Sequence, residues 1–146
     1  MLSNPIDNLV QRYWVLGLVQ VIHSIEETLT QLYIKLNAMI EALHESIPSV
    51  PLIQINADQF AAINYLLLAL ILGTVPIVRK GHPMGFVLVW SWAVIELLNG
   101  IFHLGTWVGL RTYFPGGISG PILFVLSVFL ILQLRSLTNQ TTEKIQ

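Results

Sequence analysis

Apolar residues fall into four long runs, the first two separated by a long mixed stretch and the others by short polar ones. The runs extend from about Tyr13 to Leu32, Phe60 to Val78, Met84 to Val108 and Ile118 to Leu137. Each reaches the roughly 17–25 residues that a helix needs to cross the hydrocarbon of a bilayer. Pro76 and the turn Arg79-Lys80-Gly81-His82-Pro83 end the second run abruptly, which predicts an antiparallel hairpin between the second and third. Between the first and second runs, Leu32, Leu36, Met39, Ile40 and Leu43 recur at helical spacing, with Lys35, Glu41 and Glu45 on other faces. This predicts an amphipathic helix over 33–47 that continues the first helix and stops before Pro48 and Pro51. Ser136–Gln146 reads as a short polar tail, frayed at its end. There are no internal repeats. The pattern predicts one all-α membrane domain over 1–146, a four-transmembrane-helix bundle with an amphipathic extension after the first helix.

Composition strengthens this reading. Of 146 residues, 54% are hydrophobic and only 10% are charged. Soluble domains carry about 25% charged residues. Mean hydropathy is +0.70. A net charge of −1 gives no basic field for nucleic acid. With no cysteine, disulfides and thiolate ligands are excluded, so any metal is held by oxygen and nitrogen, which suits Zn, Fe, Mn or Mg. Asp7 and Arg12 precede the first run and no small-x-small cleavage site follows it, so that helix is expected to be retained. Arg12, Arg79, Lys80, Arg135 and Lys144 share one side of a four-span topology, against Lys35 and Arg111 on the other. The positive-inside rule then predicts a multi-pass cell-membrane protein with both termini cytoplasmic.

Two of the runs carry ionisable residues where hydrocarbon disfavours them. His23, Glu26 and Glu27 lie three and four residues apart, on one side of the first helix. Glu96, Asn99 and His103 form a stripe on the third run at i, i+3 and i+7. Each charge inside the bilayer costs about 2.5–3.5 kcal/mol on insertion scales. At about 1.5 Å of rise per residue, the two groups fall at overlapping depths in the outer half of the membrane. Interhelical hydrogen bonding alone accounts poorly for six such residues, since each polar pair contributes only about 0.6–2 kcal/mol. Carboxylate and histidine pairs on facing helices are instead how bundles build metal sites. The predicted ligand pool is His23, Glu26, Glu27, Glu96 and His103. Glu26, Glu27, Asn99 and Tyr113 are the candidate catalytic groups. Tyr113 qualifies because the turn Tyr113-Phe114-Pro115-Gly116-Gly117 lies at the outer mouth of the site. Trp92, one turn before Glu96, and Trp107 are candidate walls of a substrate pocket, although tryptophans in such helices more often anchor or pack. Asn64 is a candidate partner between helices. His44 and His82 are expected in solvated loops.

Three motifs occur in order: His23-x-x-Glu26-Glu27, Asn99-x-x-x-His103 and Tyr113-x-Pro115-Gly116. Together they resemble the HXXEE-domain family of small four-helix membrane proteins, and the likeness covers most of the chain. The resemblance implies a four-helix bundle in which these residues converge. The chain departs from the shortest family pattern in the long segment Gln31–Ala57. In chemistry alone it is similar to intramembrane CAAX-type proteases, but it lacks their Glu-Glu-x-x-x-Arg motif because residue 31 is Gln. It is similar in the same way to sterol-isomerase-like bundles, which use buried His, Glu, Asn and Trp.

The leading expectation is a metal-dependent membrane enzyme acting on a lipophilic small molecule taken from the bilayer. One glutamate would act as base on a metal-bound water, Asn99 would orient a ligand or substrate, and Tyr113 would donate a proton or hydrogen bond. The alternatives are a metal-independent isomerase or cyclase of isoprenoid or sterol-like substrates, and an ion or proton pathway or lipid-binding protein. Homo-oligomerisation is left open.

Overall fold

The computed structural model describes residues 5–143, with side chains through Asn139. Five helices follow one another: α1 (Pro5–Leu29), α2 (Leu32–Ser46), α3 (Ala57–Arg79), α4 (Pro83–Leu110) and α5 (Gly120–Glu143). α1, α3, α4 and α5 form a four-helix ring in which α1 and α4 each pack on both α3 and α5. Tyr13 hydrogen-bonds Thr74 (2.6 Å) and Ser24 donates to Asn64 (3.3 Å), which sets α1 and α3 antiparallel. α1 and α4 therefore occupy opposite corners of the ring and run in the same direction. Leu9, Tyr13, Leu16, Ile71, Val89 and Leu130 belong to the core toward the end where α1 begins. The polar residues gather toward the other end.

The first helix does not continue into the second, as the sequence pattern suggests. It ends at Leu29, and Gln31 takes a left-handed backbone (φ 56°) before α2 starts. Thr28 and Thr30 explain the stop. Their hydroxyls donate to the Ser24 and Glu26 carbonyls (2.7 and 2.6 Å) and compete with the helical ladder. α2 then folds against the following loop. The Asn37 amide donates to the Ile55 carbonyl and accepts from the Ile55 N–H (2.8 and 3.0 Å). A capping box between Asn56 and Gln59 starts α3. His44 lies in α2 beside the Val50 carbonyl (2.6 Å), and His82 caps α4 by accepting from the Met84 N–H (3.1 Å). His82 is the exposed turn residue expected, whereas His44 is helical and partly buried. Leu32, Phe60 and Phe114 form a second small core above the polar region. α5 extends to Glu143, so most of the expected polar tail is helical; Lys144–Gln146 lie outside the described residues.

Among the described residues, three helices are long and apolar enough to cross a membrane, not four: Ala57–Arg79, Pro83–Leu110 and Gly120–Asn139. Together with the composition they point to a membrane protein. α1 is long enough, but Asp7, Arg12, Gln20, His23, Glu26 and Glu27 reduce its hydropathy. Its polarity is turned inward. Gln20, His23, Ser24 and Glu27 are buried, whereas Leu18, Ile22, Ile25 and Leu29 are exposed.

The crossing of α4 and α5 depends on small residues. A Cβ on Gly100 would lie 2.7 Å from the Gly120 carbonyl oxygen and 2.8 Å from the Phe124 nitrogen, so two backbones meet there. Gly100→Leu should force the helices apart and destabilise the bundle by about 1–3 kcal/mol. A lower midpoint of thermal unfolding in detergent is the expected result; an unshifted midpoint would contradict this packing.

Candidate metal centre

His23 and Glu27 stand one turn apart on α1, and His103 reaches them from α4 across the axis of the ring. Nε2 of His23 and Nε2 of His103 each lie 3.0 Å from Oε1 of Glu27. The two imidazoles meet edge to face with centroids 4.6 Å apart. His23 and His103 are 0% and 1% exposed and Glu27 is 6% exposed, so bulk water does not separate them. The three side chains can each turn one ligand atom toward a common point.

Hydrogen bonds on the far side of each ring place the protons. His103 Nδ1 lies 2.7 Å from the Pro115 carbonyl oxygen. A carbonyl only accepts, so Nδ1 carries hydrogen and donates. His23 Nδ1 lies 2.7 Å from the Ser119 hydroxyl. That hydroxyl donates its own hydrogen to Oε2 of Glu26 and so accepts from His23. In the neutral form of each ring the lone pair is then on Nε2, facing Glu27. His23 Nε2 has no hydrogen-bond partner, because its approach to Glu27 lacks the alignment of one.

Glu26 takes no part in this group. Rotated from Glu27 by one residue of helix, it faces the start of α5. Tyr113 donates to its Oε1 (2.7 Å), as does the Ile118 N–H (3.0 Å), while the Ser119 N–H donates to Oε2 (2.9 Å). With the Ser119 hydroxyl, four donors meet about four lone-pair sites, leaving none for a metal. Tyr113 is half exposed and ties the loop to α1. Desolvation, followed by its hydrogen bond to Glu26 and that residue's charge, raises its phenol above the ordinary value. Glu96 is also apart from the trio. It is buried on α4 and accepts a hydrogen bond from Asn99 (3.2 Å).

A cavity of about 350 Å³ adjoins the trio. Glu27, Glu96, Asn99 and His103 line its polar side, with Gln20 and Asn64. Trp92, Phe60, Phe102 and Leu36 supply apolar wall. Trp107 is not among the lining residues; it packs beside Gly117 of the loop. Sequence reasoning missed Ser119, the Pro115 carbonyl and Gln20. Only Pro115 left a signal, through the Tyr113-x-Pro115-Gly116 motif.

The architecture is an all-helical bundle with a buried His/Glu/His group and three helices suited to a bilayer. The chain belongs to the HXXEE family, described as proteins of unknown function with an HXXEE motif, whose family model matches residues 14–131. No curated protein and no solved structure matches the chain.

Gly116 sets the distance between loop and site. Its φ is +80°, and a Cβ there would fall 2.4 Å from Cε1 of His103 and 2.9 Å from Cε1 of His23. Left-handed backbone costs a residue with a Cβ about 1–2 kcal/mol before any collision. Gly116→Ala should therefore lower stability by more than that and displace His103 from Glu27. Unfolding titrations in detergent would test it, and a variant as stable as the parent would contradict the close approach.

Proposed function

We propose that the protein is an intramembrane metalloenzyme acting on a lipid-soluble substrate, with His23, Glu27 and His103 holding one divalent cation. One observation carries the proposal: both imidazoles give their Nδ1 hydrogens away from the centre, so in their neutral forms two nitrogen lone pairs converge on a carboxylate. Metal-bound histidines ordinarily have this second hydrogen bond, to a carbonyl, a carboxylate or water. Contacts of 3.0 Å between ligand atoms are close to the tetrahedral edge of about 3.3 Å that follows from metal–nitrogen bonds of about 2.0–2.1 Å. Two histidines and one carboxylate suit Zn(II) in hydrolytic sites and Fe(II) in oxygenases, both of which keep open positions.

The cation would activate a water or polarise a substrate oxygen. The protein's residues do the rest. Pro115 and Ser119 hold the two rings. Glu26 holds Ser119, and through it His23. Glu96 faces the cavity and is placed to accept a proton, with Asn99 fixing its carboxylate. Ile63 and Ile95, on the rim of the cavity, are half exposed on the outer surfaces of α3 and α4. A lipophilic molecule would enter sideways between these helices.

Metal content of detergent-purified protein tests the assignment. The parent should hold about one equivalent, and His103→Ala and Glu27→Ala almost none. Glu26→Gln should retain the metal with affinity reduced about 10–100-fold, because it supports a ligand without being one. Full metal content in Glu27→Ala would remove the trio from the site. A parent that takes up no metal on repletion would leave acid–base chemistry among these groups.

The same reading makes α1 a fourth membrane-spanning helix. Its outward face is as apolar as those of its neighbours, and its polar face is covered by the ring. The more basic end, with Arg12, Arg79, Lys80 and Arg135, would be cytoplasmic. The chain has no cysteine, so single substitutions report accessibility cleanly. Arg111→Cys should react with an impermeant maleimide in intact cells, and Lys80→Cys only after lysis. The reverse pattern would invert the topology.

A further inference from the structure

We propose that the cavity beside the metal centre binds a single-chain lipid carrying a protonated amine, whose ammonium group is held by Glu96 against Trp92. The proposal rests on the metalloenzyme reading and adds a substrate class to it.

Charge is the first argument. Two carboxylates, Glu27 in the trio and Glu26 behind His23, balance a divalent cation. Glu96 is the third carboxylate, 2% exposed. Its hydrogen-bond partner is a neutral amide, Asn99. No lysine or arginine is among the residues that line the cavity. A buried carboxylate without a countercharge is costly. A cationic ligand supplies what the chain does not.

Hydrogen-bonding capacity is the second argument. Gln20 is 4% exposed and lines the same cavity, and its Oε1 has no partner. Asn99 has turned its amide N–H toward Glu96. Against these acceptors stands one unpartnered donor, Nδ2 of Asn64. An ammonium group, with three donors and no acceptor, matches an acceptor-rich wall. A hydroxyl matches it less well, and a carboxylate would face Glu96 with like charge. Trp92, Phe60 and Phe102 supply aromatic surface, which attracts cations.

Size and access give the lipid. At about 30 Å³ per heavy atom, the liquid share of a water molecule, the cavity takes a chain of about twelve. Such a molecule partitions into the bilayer and reaches the rim at Ile63 and Ile95 without leaving it.

Dodecylamine, dodecan-1-ol and dodecanoate have equal chain lengths and differ in the head group. Binding of each to the purified, metal-loaded protein can be followed by tryptophan fluorescence, with Trp92→Phe identifying the responding residue. Glu96→Gln keeps the shape of the side chain and removes its charge. The amine should bind at least about tenfold more tightly than the alcohol, and Glu96→Gln should erase that preference while metal content stays at one equivalent. Equal binding of amine and alcohol, or an undiminished preference in Glu96→Gln, would overturn the proposal and leave the metal site standing. Amine selectivity in a protein that takes up no metal would instead sink the metal reading alone.

Discussion

The carbonyl oxygen of Pro115 has no hydrogen to give, and much of the site follows from that. It fixes a proton on His103 Nδ1, so in the neutral ring the lone pair is on Nε2, directed at Glu27. Ser119 does the same for His23, because its own hydrogen is committed to Glu26. Were the trio a simple hydrogen-bonded cluster, a proton would lie between Glu27 and one ring. That ring would then be charged, and the other would face Glu27 with a lone pair and no proton to share, in a region where bulk water is absent. An unpaired buried group of this kind costs about 1–3 kcal/mol, more when charged. A cation shared by the three ligand atoms would relieve the conflict.

The two neighbouring glutamates divide the work because a helix turns about 100° per residue. His23 and Glu27 are one turn apart and share a face, which points at the axis of the ring. Glu26 leaves that face and meets the exposed N–H groups that precede α5, where a carboxylate is favoured by the unsatisfied donors of a helix start. The loop it grips carries Pro115, Gly116 and Ser119. Thus a carboxylate that touches neither imidazole still governs both. It anchors the hydroxyl bonded to His23, and it holds down the segment whose carbonyl orients His103.

Much of this was legible in the sequence. Helix positions followed from long apolar runs, and His23, Glu27 and His103 stood out because ionisable groups are rare in such runs. What periodicity could not give was the division between Glu26 and Glu27. Both lie within one turn of His23, and only the packing of α5 on α1 separates them. Glu96 was placed on the stripe of His103 correctly, but two turns of helix carry it away from Glu27. Ser119 and Gln20 left no signal, since a serine before a helix and a glutamine inside one are ordinary. The break at Gln31 was hidden because Leu32, Leu36 and Leu43 resume a helical period directly after it.

The count of membrane helices has the same origin as the site. Hydropathy averages a helix over its circumference, so α1 fails where α3, α4 and α5 succeed. Yet the residues that lower its average, Gln20, His23, Ser24 and Glu27, face the ring interior, and those facing outward are Leu18, Ile22, Ile25 and Leu29. An outer surface of that kind is unfavourable in water and suits lipid. A helix that inserts poorly alone can be held by partners that cover its polar face. The polar site is therefore shared between opposite corners of the ring, with His23 and Glu27 from α1 and His103, Glu96 and Asn99 from α4. The three apolar helices give it the membrane setting that α1, by its own composition, would not secure.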